Sequence, residues 1–385
     1  MSRVFYSVPV VINGEGSLSE EGERIALGKK ALIVTGKTVV KQECAKLLCD
    51  TLSKLSVEYV IFSDITGEPD DQMIDAGAKA YRQNGCDFLI AIGGGSPMDS
   101  MKAIAVALKY PDKKLRDFMG REIAGPLAPM VAIPTTAGTG SEVTMFTVIT
   151  DKETQVKMLL KGSTLIPDVA VIDPLFSASA PKGVTANTGL DALTHAVEAY
   201  ASKKAQPFTD VLAVSAVKRI MKYLPKAFDD GRDMKARSEM SLAAYEAGVC
   251  ITNSSVSIVH GMSRPIGALF HVPHGLSNAM LLPDCLDYML DGAYERFADL
   301  ARAIGAADEK TDDIKAAKSF ADAVRGICEY CKVPTPAQYG IDKEEFFAQI
   351  NKMASDAITS GSPGNTRKFV GEAECIEIYK RLWEK

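Results

Sequence analysis

Histidine is scarce in this chain, with four residues among 385. Three of the four fall in one stretch, HGMSRPIGALFHVPHG, which runs from His260 to Gly275. Long apolar runs are missing too. No segment reaches the roughly 18 apolar residues of a membrane span, and the opening MSRVFYSVPVVINGEG holds no signal-sequence core. Basic charge is not in excess: 44 Lys and Arg against 49 Asp and Glu leave a formal charge of −5. That balance excludes a general surface for nucleic acid or anionic membrane, either of which requires a basic face. The eight cysteines, spread from Cys44 to Cys375, form no tight framework. Cys328 and Cys331 make a single CxxC pair with no second pair, which excludes a zinc ribbon, and their helical surroundings predict ordinary helix residues. Reduced thiols and the lack of a targeting segment point to the cytoplasm.

What remains is the composition of a globular protein, 46% hydrophobic and 24% charged, and a length that predicts two domains. From residue 31 to about 173, KKALIVTG, VEYVIFSD, DFLIAIGGG, PMVAIPTT and PDVAVIDP read as buried strands bounded by Gly, Pro or Asp. TVVKQECAKLLCDTLSKL and DDQMIDAGAKAYRQNG between them carry the helical period, so the region is an α/β domain with a parallel sheet. After Pro181 every long segment has helical spacing. The shift places an α/β domain at 1–180 and an all-helical domain at 181–385.

Two polar loops follow predicted strands. In GGGSPMDS, glycines 93–95 let backbone approach a ligand, and Ser96, Pro97 and Asp99 match the N-cap, N1 and N3 positions of a capping box. The helix N-terminus above such glycines favours a phosphate. In PTTAGTGSEVT, Thr135, Thr136, Thr139, Ser141 and Thr144 offer hydroxyls at the sheet edge where α/β folds bind ligands. Asp191 and His195 are four apart on a predicted helix and share a face. His260 and His274 flank a segment that Pro265, Gly267 and Pro273 are expected to break so that it folds back. One Asp with two or three His suits a catalytic divalent metal.

GGGSPMDSMKAIA, PTTAGTGSEVT, IPDVAVIDP, NTGLDALTHAVEAY and HGMSRPIGALFHVPHG together resemble the iron-containing, group III alcohol dehydrogenases, in the family's order and over almost the whole chain. The resemblance implies a Rossmann-like N-terminal domain and a C-terminal helical domain, the architecture also found in dehydroquinate synthase. It further implies NAD or NADP as cofactor and one divalent metal, Fe2+ or Zn2+. The metal ligands it implies are Asp191, His195, His260 and His274. Gly94, Gly95 and Ser96 would hold the pyrophosphate with Asp99 nearby, Thr135, Thr136, Thr139 and Thr144 would line the cofactor path, and Lys157 would reach the ribose.

Three positions depart from the family. Arg264 stands where a further histidine is common, His271 where many members have Asn, and Gly36 where many NAD-preferring members have an acid. Proton delivery is thus open among His271, a bound water and the cofactor ribose, and NADP stays admissible. Arg264, with Ser254, Ser255 and Ser257, is expected to hold an anionic tail on a short aldehyde, or else to contact cofactor phosphate or a protein carboxylate. The resemblance implies reversible reduction of an aldehyde to its alcohol by a homodimer or larger homo-oligomer. A polyol dehydrogenase, a hydroxyacid–oxoacid transhydrogenase and a silent nucleotide-binding or assembly subunit are the alternatives.

Overall fold

The computed structural model describes residues 2–154 and 156–384. Two compact units divide at Ala180 and Pro181. The first contains β1 (Val10–Asn13), α1 (Ser17–Glu20), β2 (Lys30–Val34), α2 (Glu43–Lys54), β3 (Glu58–Phe62), α3 (Asp71–Gln83), β4 (Phe88–Gly93), α4 (Gly95–Lys109), β5 (Met130–Pro134), β6 (Phe146–Asp151), β7 (Val156–Lys161) and β8 (Val169–Ile172). Six strands form one parallel sheet in the order β1-β8-β5-β4-β2-β3, while β6 and β7 pair as a separate antiparallel hairpin.

Successive side chains of a strand point to opposite faces, and both faces of this sheet are covered. Leu32, Val34, Leu89, Ala91 and Ala132 pack with Ile74 of α3 and Ile104 of α4, while Ala31, Ile33, Phe88, Ile90 and Val131 pack with Leu48 and Leu52 of α2. Continuous apolar runs in β2, β4, β5 and β8 follow from that double burial. Strand β2 has β3 on one side and β4 on the other. The connections diverge there, which makes the carboxyl ends of β2 and β4 the switch point at which such sheets bind ligands.

The second unit holds α5 (Lys182–Ala201), α6 (Pro207–Asp229), α7 (Met234–Ser254), α8 (Ile258–Phe270), α9 (His274–Met289), α10 (Tyr294–Ile304), α11 (Asp313–Tyr330), α12 (Pro336–Tyr339), α13 (Lys343–Thr359) and α14 (Glu372–Arg381). Cys328 is inside α11 and Cys331 is its cap residue, both buried and in no disulfide. No helix among the described residues is long and apolar enough to cross a membrane.

Three expectations change. Residues 2–5 belong with the helical unit, because Arg3 donates to the Ala205 carbonyl and the Phe5 ring packs 5.4 Å from that of Phe208. Pro265 and Gly267 do not break the histidine segment. Helix α8 continues through them to Phe270, held by buried Val259, Met262 and Ile266 although Pro265 supplies no N–H. The chain turns at His271, left-handed at φ 53°, and α9 starts at His274. Finally, α4 begins at Gly95 with Gly94 as its cap residue and no side-chain cap bond. The capping box of Ser96 and Asp99 is not formed, because Asp99 accepts instead from Ser141 Oγ at 2.7 Å and Val148 N at 2.8 Å.

Candidate metal centre and dinucleotide loops

Helix α5 is buried along most of its length and carries Asp191 and His195 one turn apart. His260 comes from α8, and His274 is the first residue of α9. The glycine after His274 lets α9 meet α5. A Cβ on Gly275 would lie 2.4 Å from the Asn187 carbonyl oxygen and 3.2 Å from Asp191 Cβ.

Asp191 Oδ1 lies 3.9 Å from His195 Nε2 and 3.7 Å from the Nε2 atoms of both His260 and His274. One ligand atom from each of the four residues lies within 4.8 Å of the others. Tetrahedral ligands at about 2.0–2.2 Å from zinc are roughly 3.3–3.6 Å apart, close to the spacing of Asp191 Oδ1 from the three imidazoles. Asp191 is 1% exposed, and no lysine or arginine among the described residues pairs with it. Burial alone would raise its pKa, but His195, His274 and His260 hold it well below the usual carboxylate range. A buried carboxylate ringed by imidazole nitrogens is a cation site by its donor set.

Two neighbours that sequence reasoning missed shape this centre. Glu198, fully buried, accepts at Oε1 from Ser257 Oγ at 2.8 Å and Val259 N at 2.6 Å, and its Oε2 lies 2.5 Å from His260 Nδ1. The contact assigns the Nδ1 proton to the carboxylate side and leaves Nε2 as a ligand. Burial lowers the His260 pKa but Glu198 and Asp191 outweigh it, pushing it up to about 9. Asn278 Nδ2 lies 2.7 Å from Asp191 Oδ1, 3.1 Å from His260 Nε2 and 3.2 Å from His274 Nε2, while its buried Oδ1 has no partner among the described residues. The signals were helical spacing: Glu198 is three residues after His195, and Asn278 four after His274. His274 is held down to about 4 by desolvation, which outweighs the pull of Asp191, with repulsion from His260, His195 and Arg264 adding to it. Although 47% of its side chain is exposed, its Nε2 is within the cluster.

His271 caps α8, exposed and outside the four-residue cluster, with its carbonyl accepting from Tyr339 Oη at 3.3 Å. Arg264 lies one helical turn after His260. Burial lowers its pKa against the opposing charge of Glu198. The serines do not form the expected anion pocket. Ser254 is fully buried against Thr209 at 2.7 Å, Ser257 is 1% exposed and bonded to Glu198, and Ser255 Oγ accepts from Asn365 Nδ2 at 3.2 Å.

In the α/β unit, Gly36 follows β2 and Gly94 follows β4 on adjacent strands. Thr135 N donates to the Gly93 carbonyl at 2.8 Å, joining the loop after β5 to the loop after β4. The φ of Gly93 is +152°, and a Cβ there would meet Pro97 Cγ at 2.7 Å. On Gly95 a Cβ would sit 3.1 Å from Thr139 Cγ2, and on Gly94 it would sit 3.6 Å from Thr136 Oγ1. Gly94, Gly95, Ser96, Thr135, Thr136 and Thr139 thus lie together at the start of α4, where the first backbone N–H groups of a helix suit a pyrophosphate. Thr144 departs from this arrangement. It is 5% exposed and its Oγ1 lies 2.8 Å from Lys102 Nζ, so its hydroxyl serves the interior. Lys157 on β7 pairs with Glu68 at 2.7 Å.

The family model for iron-containing alcohol dehydrogenase matches residues 9–174, and that for the family's C-terminal region matches residues 185–383. The chain is 36% identical to 1,3-propanediol dehydrogenase of Citrobacter freundii over 99% of both chains. A crystal structure of 1,3-propanediol oxidoreductase superposes with a TM-score of 0.95 at 34% identity, covering 99% of this chain and 100% of that one. Sulfoacetaldehyde reductase of Bifidobacterium kashiwanohense, solved with NAD+, gives 0.88 at 28% identity over 99% of each. With fold, donor set and both family segments in agreement, the chain belongs to the iron-containing alcohol dehydrogenases, NAD(P)-linked and metal-dependent enzymes that interconvert aldehydes and alcohols.

Proposed function

We propose that this enzyme reduces a short aldehyde carrying an anionic tail, sulfonate or carboxylate, and that Arg264 selects the tail. The observation that carries the reading is the guanidinium itself. It is largely enclosed, feels the charges of Glu198 and His274, and makes no hydrogen bond or ion pair with any described residue. An arginine sheltered from water without a protein acceptor is matched by a ligand that supplies two oxygens. A structural relative named as a sulfoacetaldehyde reductase supports this reading.

Asp191, His195, His260 and His274 would hold the divalent metal, which supplies Lewis acidity at the carbonyl oxygen when bound. Glu198 keeps the His260 proton on Nδ1. Gly94, Gly95 and Ser96 anchor the pyrophosphate through backbone N–H groups, Thr135, Thr136 and Thr139 line the cofactor path, and Lys157 reaches the ribose. His271 is a proton donor toward solvent, reached through water. The protein works in the cytoplasm as a homodimer or larger assembly.

The test compares propanal with sulfoacetaldehyde and succinic semialdehyde in the metal-loaded wild type and in Arg264→Ala. The variant is expected to lose about 10- to 100-fold in kcat/KM on the anionic aldehydes, the worth of a charge-assisted hydrogen bond, and little on propanal. Equal losses on all three would remove Arg264 from substrate selection.

A further inference from the structure

Lys102 is one of the largest fully buried side chains in the protein, with 0% exposure, and nothing in the metal or phosphate chemistry above uses it. It projects from α4, whose N-terminus forms the glycine cradle. Its Nζ lies 2.6 Å from Ser141 O, 3.2 Å from Ser141 Oγ, 2.9 Å from Thr144 O, 2.8 Å from Thr144 Oγ1 and 3.0 Å from Phe146 O. Five oxygens around three N–H donors is a saturated environment. Its charge is balanced by Asp99 and Glu142. Asp99, one turn earlier on α4, accepts from Ser141 Oγ and Val148 N, and the Asp99 carbonyl accepts from Thr147 Oγ1 at 2.8 Å. Residues 141–148 are therefore fastened to α4 through two charged side chains.

The fastening lies directly behind the second cofactor loop. Thr139 precedes it by two residues and touches the cradle, where a Cβ on Gly95 would come within 3.1 Å of its Cγ2. A hydrophobic side chain in place of Lys102 would leave carbonyls and hydroxyls buried without donors, and the segment would have to move to find them.

We propose that Lys102 is a positioning residue for the dinucleotide: by gathering residues 141–146 onto α4, it sets the spacing between the loop at Thr135–Thr139 and the cradle at Gly94–Ser96. The inference rests on the reading that these two loops hold the pyrophosphate. Lys102 does not touch the cofactor, and its effect passes through Thr139.

The experiment measures NADH and NADPH dissociation by fluorescence in the metal-loaded enzyme, with metal content and KM and kcat recorded beside it. Lys102→Met is expected to weaken cofactor binding by about tenfold or more, to raise the cofactor KM by more than kcat falls, and to retain its metal. Ser141→Ala removes the hydroxyl shared by Asp99 and Lys102 while keeping the carbonyl, and is expected to weaken binding severalfold. It serves as the test if Lys102→Met does not fold. Gly95→Val is the companion that obstructs the cradle directly. Weakened binding in Gly95→Val with normal binding in Ser141→Ala and in folded Lys102→Met overturns the positioning role and leaves the cradle standing. Normal binding in Gly95→Val overturns the cradle reading, and the inference with it.

Discussion

Glu198 Oε2 lies 2.5 Å from His260 Nδ1, both side chains buried, with Ser257 and Val259 holding the other carboxylate oxygen. A metal-ligating imidazole needs its other nitrogen oriented, and this carboxylate would do so for His260 from the helix that also supplies Asp191 and His195. Glu198→Gln keeps the shape but weakens the acceptor. Metal affinity is expected to fall about 10- to 100-fold, as for other outer-shell partners of metal-bound histidine. Competition with a chromogenic chelator measures it, and unchanged affinity would make Glu198 a packing residue.

The same pair sets a pH dependence. In metal-free protein the His260 pKa is raised to about 9, above the unfolded value of about 6.5. A raised value in a base means that the stability contributed is fully present below about pH 6.5 and is lost as pH rises through about 9. Metal takes the place of that proton, so the difference in melting temperature between metal-loaded and chelated protein is expected to widen from pH 6.5 to 9. Melting curves at three pH values with a constant difference would contradict this.

Gly275 makes a third prediction, joining packing to the metal. Its Cβ position is 2.4 Å from a backbone oxygen of α5, so Gly275→Ala must push α9 away and His274 with it. The expected cost is about 1–3 kcal/mol of stability from overpacking, together with reduced metal content at limiting supply. Urea unfolding and metal analysis would show both. A fully loaded, fully stable variant would mean that the helices separate without moving the ligand.

Cofactor choice is tested at Gly36, at the end of β2, where an acidic side chain would bond ribose hydroxyls and repel a 2′-phosphate. Gly36→Asp is expected to shift the NADH to NADPH ratio of kcat/KM by about tenfold toward NADH. A Cβ there would lie 3.1 Å from Ile65 O, so melting temperature is recorded as a control. An unchanged ratio in stable protein would place the ribose elsewhere.

Much of the scaffold is legible in the sequence. Strands β2, β4, β5 and β8 are apolar without interruption because helices cover both sheet faces, and that leaves a signal in composition. Strand β1 is a four-residue edge, and the β6–β7 hairpin packs mainly one face inward, so neither stands out as a buried run. Proline counts locally as a helix breaker, but around Pro265 the burial of Ile258, Val259, Met262 and Ile266 sustains α8.

By itself the sequence determined which chemistry was available: one carboxylate and four histidines, two glycine- or threonine-rich loops after strands, and an arginine one helical turn after His260. Spacing on one helix tied Asp191 to His195, because a helix repeats every 3.6 residues. Only the tertiary structure decided which distant groups meet. It brought His260 and His274 to Asp191, set Glu198 behind His260, buried Ser254 against Thr209 and Ser257 against Glu198, and enclosed Lys102 among carbonyls that lie roughly 40 residues further along the chain. Such contacts depend on how helices and loops pack, and packing follows from burial summed over many residues rather than from any local pattern.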